Sequence, residues 1–125
     1  MAKKIEINIE SYGLYSPHTG KKEIPSIIKF TDTIPVGLDI EFGYVLRIKK
    51  AKGKKITFKI EHPSFKNENG DKAKPFTGEL YVRSNDFRFF LGDTFWNPLQ
   101  DKIGNWTLTT WLDNKEVAKK TLIMV

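Results

Sequence analysis

The chain has 125 residues and no cysteine, and its 21 lysines and arginines outnumber 15 acidic residues, which gives a formal net charge of +6. A chain of this length as a rule makes one domain, here residues 1–125, and buries enough surface for a core without metal or disulfides. The lack of cysteine excludes a disulfide framework, thiol catalysis and cysteine-ligated zinc or iron–sulfur sites.

The first segment, MAKKIEINIE, holds no apolar run long enough for a signal peptide or a membrane span. We therefore expect a cytoplasmic protein without a membrane span, or a periplasmic or surface protein if a leader has been removed. Only Arg47, Arg83 and Arg88 among the cations are arginines. Because arginine supplies the bidentate and stacking contacts that nucleic-acid recognition favours, the lysine-rich charge indicates a solvated surface and disfavours nucleic acid.

Short segments of alternating hydrophobicity recur along the chain and predict strands. The first four cover residues 4–12, 26–34, 40–50 and 55–61. Gly13 is expected to break the first strand before a short continuation through Leu14 and Tyr15. The third and fourth strands are expected to pair as a hairpin through the AKGK turn.

The second half of the chain begins with a polar, turn-rich stretch, residues 63–75, which predicts the longest loop. Residues 78–83 and 87–91 then predict a fifth strand and a sixth. The closing segment, residues 104–125, alternates with a period of two on both sides of an Asp113-Asn114 turn, which predicts a β-hairpin.

The loop of this hairpin can span two residues or four, and the two lengths imply different registers. A shift of one residue exchanges the set of side chains that faces the core. We favour the register that turns Ala118, Leu122 and Met124 inward and bends Lys120 outward at its stem.

Seven or eight strands, no convincing helix and no internal repeat are typical of an all-β, immunoglobulin-like antiparallel β-sandwich. Such sandwiches have a corner where the chain crosses between sheets, marked by a leucine, a turn, a glycine and an aromatic residue that enters the penultimate strand. Leu99, Gly104, Trp106 and Leu108 fit this pattern. Trp106 is therefore predicted to be a buried anchor.

No motif assigns a catalytic, metal or cofactor site. His18 and His62 lie in separate loops without the ligand spacing of a metal site, and the common hydrolase, phosphate-loop and dinucleotide motifs do not occur. Asp86, Asp93 and Asp101 could be paired acids for glycoside hydrolysis, although each neighbours Asn, Gly or Lys as turn residues do. We expect a non-catalytic protein without a cofactor, and a carboxylate enzyme ranks third among the hypotheses.

A lysine cluster spans residues 49–55 and comprises Lys49, Lys50, Lys52, Lys54 and Lys55. At a hairpin tip these side chains could bind an anion or nucleic acid, or they could simply solvate the tip and discourage edge pairing. Because no aromatic residues are interleaved for stacking, solvation is the favoured interpretation. A lysine-led anion or nucleic-acid binder is the alternative function.

An aromatic stretch, residues 85–96, reads NDFRFFLGDTFW. Alternation places Phe87, Phe89 and Leu91 on one face, with Arg88 and Phe90 on the other. Because the remaining aromatic residues cannot all share the buried face, the stretch predicts either a covered loop or a protein interface formed by Arg88, Phe90, Phe95 and Trp96. The favoured function is a non-catalytic binding or structural module that contacts a second copy or another protein, through this stretch or a sheet edge.

Four short marks carry a resemblance to a known family: YG at Tyr12-Gly13, FG at Phe42-Gly43, HP at His62-Pro63 and GxW at residues 104–106. By their order and spacing, the chain resembles an uncharacterised bacterial family of domains of unknown function over nearly its whole length. The resemblance implies an immunoglobulin-like sandwich with no assigned activity.

Overall fold

The computed structural model describes residues 4–16, 24–64 and 70–125. These residues form nine strands: β1 (Glu6–Tyr15), β2 (Ile27–Phe30), β3 (Thr33–Ile34), β4 (Glu41–Lys49), β5 (Lys55–Glu61), β6 (Phe76–Tyr81), β7 (Asp86–Thr94), β8 (Gly104–Leu112) and β9 (Lys115–Met124). One turn of 3₁₀ helix, Gln100–Lys102, lies between β7 and β8. Within these ranges no helix has the length and apolar character needed to cross a membrane.

The strands form two sheets that pack face to face. Sheet A has the order β2-β1-β4-β7, and sheet B has the order β3-β9-β8-β5-β6. Neighbouring strands are antiparallel except β3 and β9, which are parallel. Alternate residues of the facing strands fill the core, among them Phe42, Tyr44, Leu46, Ile48, Phe87, Phe89, Leu91, Ile56, Ile60, Trp106, Leu108, Leu112, Leu122 and Met124. The predicted immunoglobulin-like β-sandwich is therefore confirmed.

A buried hydrogen bond joins the two sheets through this core. The hydroxyl of Tyr44 on β4 lies 2.5 Å from the hydroxyl of Thr110 on β8. Burial raises the pKa of Tyr44 above its ordinary value, so the phenol keeps its proton at neutral pH. The pair thus satisfies two polar groups that would otherwise be buried without partners.

The single strand predicted over residues 26–34 is wrong. β2 pairs with β1 in sheet A, whereas β3 pairs with β9 in sheet B. The chain changes sheets at Asp32, whose carbonyl accepts a hydrogen bond from the amide of Ile123 (2.7 Å). This split gives nine strands where seven or eight were predicted. Alternating apolar residues reveal a strand but not a change of its partner.

The predicted hairpin of the third and fourth strands is also wrong. β4 lies in sheet A and β5 in sheet B, so residues 50–54 form a crossing between the sheets. Ala51 is buried in the core at this crossing, and Lys50 has a φ of 65°. The predicted break at Gly13 is a third correction, because β1 continues to Tyr15 and stays paired with β4.

The terminal hairpin has the shorter of the two predicted loops. β8 ends at Leu112 and β9 begins at Lys115, and both Asp113 and Asn114 have positive φ (47° and 69°). This is the backbone of a type I′ turn, whose twist suits the flanking strands. Ala118, Leu122 and Met124 are buried, which confirms the favoured register. Lys120 bends outward as predicted, with its ammonium 2.8 Å from Asp32.

Candidate functional site at the corner of the sandwich

Trp106 anchors the corner where the chain passes from β7 in sheet A to β8 in sheet B. The side chain is completely buried, and its ring packs edge-on against Phe42 of sheet A, with ring centroids 5.3 Å apart. The indole N–H donates a hydrogen bond to the carbonyl of Lys102 four residues earlier (2.8 Å). Trp106 therefore joins both sheets and the 3₁₀ turn, as predicted.

Three of the four sequence marks meet at this anchor. Phe42 of the FG mark touches Trp106, and the ring of His62 lies 5.6 Å from it. A Cβ added to Gly104 would come within 2.9 Å of Pro63, so the GxW and HP marks pack directly against each other. The marks therefore describe one packing unit of the fold.

His62 connects this corner to the segment that precedes β6. Its Nδ1 lies 2.8 Å from the carbonyl oxygen of Pro63, and its Nε2 lies 2.9 Å from that of Lys74. These two contacts hold the imidazole ring between the end of β5 and the segment before β6. His18 lies outside the described residues.

The three predicted acids do not converge. Asp86 and Asp93 sit at opposite ends of β7, and Asp101 lies in the 3₁₀ turn. Asp86 forms an ion pair with Arg47 (2.9 Å), and Asp101 pairs with Lys102 (2.5 Å). Within the described ranges, no group of three or more histidines and carboxylates could hold a metal ion.

Asp93 has a different carboxylate neighbour, which the sequence did not indicate. Burial raises its pKa above the ordinary value, and the negative charge of Glu41 adds to that effect. The backbone amide of Thr94 and the charge of His62 act in the opposite direction. Glu41 and Asp93 start and end neighbouring strands, and only the pairing of β4 with β7 brings them together.

Exposed apolar side chains at this end of the sandwich include Leu38 (55% exposed), Trp96 (36%) and Ile103 (52%), and we call the surface of these three residues the apolar end. Trp96 follows Phe95, whose amide donates to the carbonyl of Ile40 (3.3 Å), two residues from Leu38. Ile103 follows the 3₁₀ turn that contacts Trp106 and Trp96. These contacts place the segments that carry the three side chains at one end of the sandwich.

Trp96 also shields a buried charge. Lys102 is only 1% exposed, and its ammonium lies 4.6 Å from the centre of the Trp96 ring. The same ammonium donates to the carbonyl of Pro98 (2.9 Å) and to the carboxylate of Asp101 (2.5 Å). The indole thus has one face on a cation, while about a third of the residue (36%) is exposed to solvent.

The predicted interface residues do not share one surface. Phe95 is a core residue stacked on Phe42, with ring centroids 4.8 Å apart. Phe90 is half-buried on the outer face of sheet A, where its ring meets that of Tyr15 at 5.1 Å. Arg88 lies on the same outer face in an ion pair with Glu10 (2.7 Å). Of these four residues, only Trp96 belongs to the apolar end, and their role in an interface stays a prediction.

A second packed layer explains why Phe90 is not a free aromatic side chain. Tyr15 and Phe90 come from β1 and β7, which flank β4, so their rings meet above that strand. Gly92 leaves the space for the Phe90 ring, because an added Cβ at that position would lie 2.6 Å from Cζ of Phe90. The Tyr15 hydroxyl shares a buried hydrogen bond with Ser11 (2.7 Å), and burial raises its pKa to about 12.

The residues of the lysine cluster are spread over the crossing, and three of them lie within ion-pair distance of carboxylates. Lys50 lies 4.0 Å from Glu6, Lys54 lies 3.4 Å from Asp113, and Lys55 lies 2.9 Å from Glu79. These three carboxylates belong to β1, the β8–β9 turn and β6, so the ammonium groups point in different directions. Lys49 faces Asp86 in register, and Lys52 is exposed. This geometry does not form a single cationic surface.

Comparison with known proteins agrees with the fold. An immunoglobulin-like protein of Pseudomonas aeruginosa superposes with a TM-score of 0.75 at 18% identity, over 96% of this chain and 97% of that one. The DNA-bound alkylpurine DNA glycosylase AlkC of Pseudomonas fluorescens reaches a TM-score of only 0.41 at 13% identity, over 74% of this chain and 27% of its own. This likeness is too weak to indicate a shared fold. No curated protein matches the chain.

The family is shown by sequence. A family model described as a domain of unknown function, DUF3859, matches residues 3–123. This match spans all four sequence marks and the whole sandwich, in agreement with the predicted resemblance. The chain belongs to the DUF3859 family.

Proposed function

We propose that this protein is a non-catalytic binding module that docks a partner protein on its apolar end. The observation that carries the proposal is the exposure of Leu38, Trp96 and Ile103 together at one end of a rigid sandwich. Exposed apolar side chains that cluster, as opposed to being scattered singly, are typical of protein interfaces.

The apolar end is held ready for binding by the corner beneath it. Trp96 contacts Phe76 with ring centroids 6.0 Å apart and Trp106 at 6.4 Å, so its orientation is set before a partner arrives. A preorganised side chain loses little conformational entropy on binding. Tryptophan is also among the residues that most often dominate interface energies, and its truncation typically costs about 2 kcal/mol or more.

Site-specific photo-crosslinking in cells tests this proposal. A photoreactive residue replaces Ile103, and a control replaces Ile28, which is 60% exposed on the edge strand β2. We expect a defined protein adduct from position 103 and none from position 28. The purified partner should then bind the native protein with a Kd that rises at least about tenfold, or about 1.4 kcal/mol, for Trp96→Ala.

Adducts of equal yield from both positions, or no adduct from position 103, contradict the proposal. An adduct between two copies of this chain identifies a homodimer, and sedimentation of the native protein at high concentration then has to show the dimer mass. A partner whose affinity is unchanged by Trp96→Ala shows that the crosslink reports proximity and not the binding surface.

A further inference from the structure

A second surface lies on the outer face of sheet B, toward the end of the strands that is opposite the apolar end. Trp111 on β8 is paired with Thr57 on β5, and the next outward row is formed by Thr77, Lys59 and Thr109 on β6, β5 and β8. Trp111 is half-buried and projects from β8 near the turn to β9, with Thr57 on one side and Glu116 on the other.

Trp111, Thr57 and residues of the neighbouring outward row line an open groove of about 360 Å³. Its lining comprises Thr57, Phe58, Lys59, Thr77, Trp111 and Asn114. The two-residue turn places Asn114 beside the indole, and the register irregularity between Thr110 and Trp111 twists the strand at that point. The groove thus combines two aromatic side chains, those of Trp111 and Phe58, with hydroxyl, amide and ammonium groups.

We propose that this groove binds a saccharide. A sugar ring carries C–H groups that pack against an aromatic ring, and its hydroxyls exchange hydrogen bonds with neutral polar side chains. Trp111 supplies the apolar surface, and Thr57, Thr77 and Asn114 supply donors and acceptors. The groove volume falls in the usual range for small-molecule sites.

Two other ligand classes fit less well. β5 is already hydrogen-bonded to β6 on one side and β8 on the other, so an extended peptide in the groove cannot add a strand to β5. Of the described residues that line it, only Lys59 is charged, whereas a nucleic-acid strand requires a cationic path along its backbone. Adjacent Glu79 is ion-paired with Lys55 (2.9 Å) and adds no positive charge.

Titration of the ¹⁵N-labelled protein with cellohexaose, chitohexaose and tetragalacturonic acid tests the proposal. At least one oligosaccharide should shift the amide resonances of residues around Trp111 and Asn114 with a Kd of about 1 mM or tighter, a common range for a single shallow site. Trp111→Ala should weaken that binding at least about tenfold. Trp96→Ala, at the apolar end, is the matched control and should leave the Kd within about a factor of two.

Absence of any shift with all three oligosaccharides at about 10 mM, where a millimolar site would be mostly occupied, overturns the proposal. Shifts that map away from the groove, or an unchanged Kd in a folded Trp111→Ala variant, overturn it as well. The hydrogen-bonding groups have their own test, because Asn114→Ala removes an amide without touching the indole and should also weaken binding. Because Trp96 and Trp111 lie on separate surfaces, failure of the saccharide titrations would leave the proposed docking of a partner protein on the apolar end untouched.

Discussion

Replacing Trp106 with alanine should remove the contact that joins the two sheets at the corner. The side chain is completely buried and packs against Phe42 and Phe95 of sheet A. Truncation of a large buried aromatic residue costs about 3–5 kcal/mol. Loss of the indole N–H bond to the Lys102 carbonyl adds about 1–3 kcal/mol, because that carbonyl loses its donor in a buried site.

We therefore expect the free energy of unfolding to fall by about 4–8 kcal/mol, a large part of the 5–15 kcal/mol that a typical domain possesses. Urea denaturation followed by circular dichroism measures this change. Trp106→Phe keeps part of the packing and loses the N–H group, so its loss should be roughly half as large and the variant should stay folded. The matched control is Trp111→Ala, on the outer face of sheet B, with an expected loss below about 1.5 kcal/mol.

A loss below about 1 kcal/mol for Trp106→Ala would refute its role as the corner anchor. A loss for Trp106→Ala no larger than that for Trp111→Ala would also refute this role, because a buried and a surface tryptophan would then contribute equally to stability. If the alanine variant does not fold, the Trp106→Phe titration still measures the combined loss of the N–H bond and of part of the packing.

Three further predictions concern other parts of the molecule. Because burial raises the pKa of Asp93 above its ordinary 3.8, its stabilising contribution is present below that value and is lost as pH rises through the folded-state pKa. Asp93→Asn should therefore increase stability in urea at about pH 7 and change it little at about pH 3.5, and a decrease at pH 7 would contradict this assignment. Gly43→Ala should cost about 2 kcal/mol or more, because its Cβ would lie 2.2 Å from the Leu91 carbonyl oxygen. The control Gly53→Ala, which also has a positive φ (88°) but nothing within 4 Å, should cost only about 1–2 kcal/mol, and equal losses would show that the contact with β7 is unimportant. The lysine cluster should fail to retard nucleic acid at about 50 mM salt, since Glu6, Asp113 and Glu79 accompany it. Retardation that Lys→Gln changes at residues 49–55 abolish would instead support the anion-binding alternative.

The parts of this fold that local chemistry controls could be predicted from the sequence. The period of two placed Phe87, Phe89 and Leu91 inward and Arg88 outward, and the structure agrees. The Asp113-Asn114 turn and the inward set of β9 also follow from neighbouring residues, because a tight hairpin sets its own register. Trp106 was identifiable because the corner has a recurring spacing.

The choice of strand partner depends on the whole chain and was not predictable in the same way. An alternating segment pairs equally well with several others, so β4 and β5 were assigned to one hairpin although they lie in different sheets. For the same reason, the sequence did not reveal that β2 and β3 are separate strands in different sheets. It also hid the approach of Asp93 to Glu41, which are far apart in sequence and meet only where β7 joins β4.

The sequence by itself therefore determined the fold class, the terminal hairpin and the buried anchor of the corner, because each depends on side chains a few residues apart. Only the tertiary structure decided which of the polar and aromatic side chains are available to a partner. It placed Phe95 in the core, covered Phe90 with Tyr15 and matched the lysines with acids from three other elements. Exposure and ion pairing arise between segments distant in sequence, so the apolar end and the Trp111 groove emerge only when both sheets have packed.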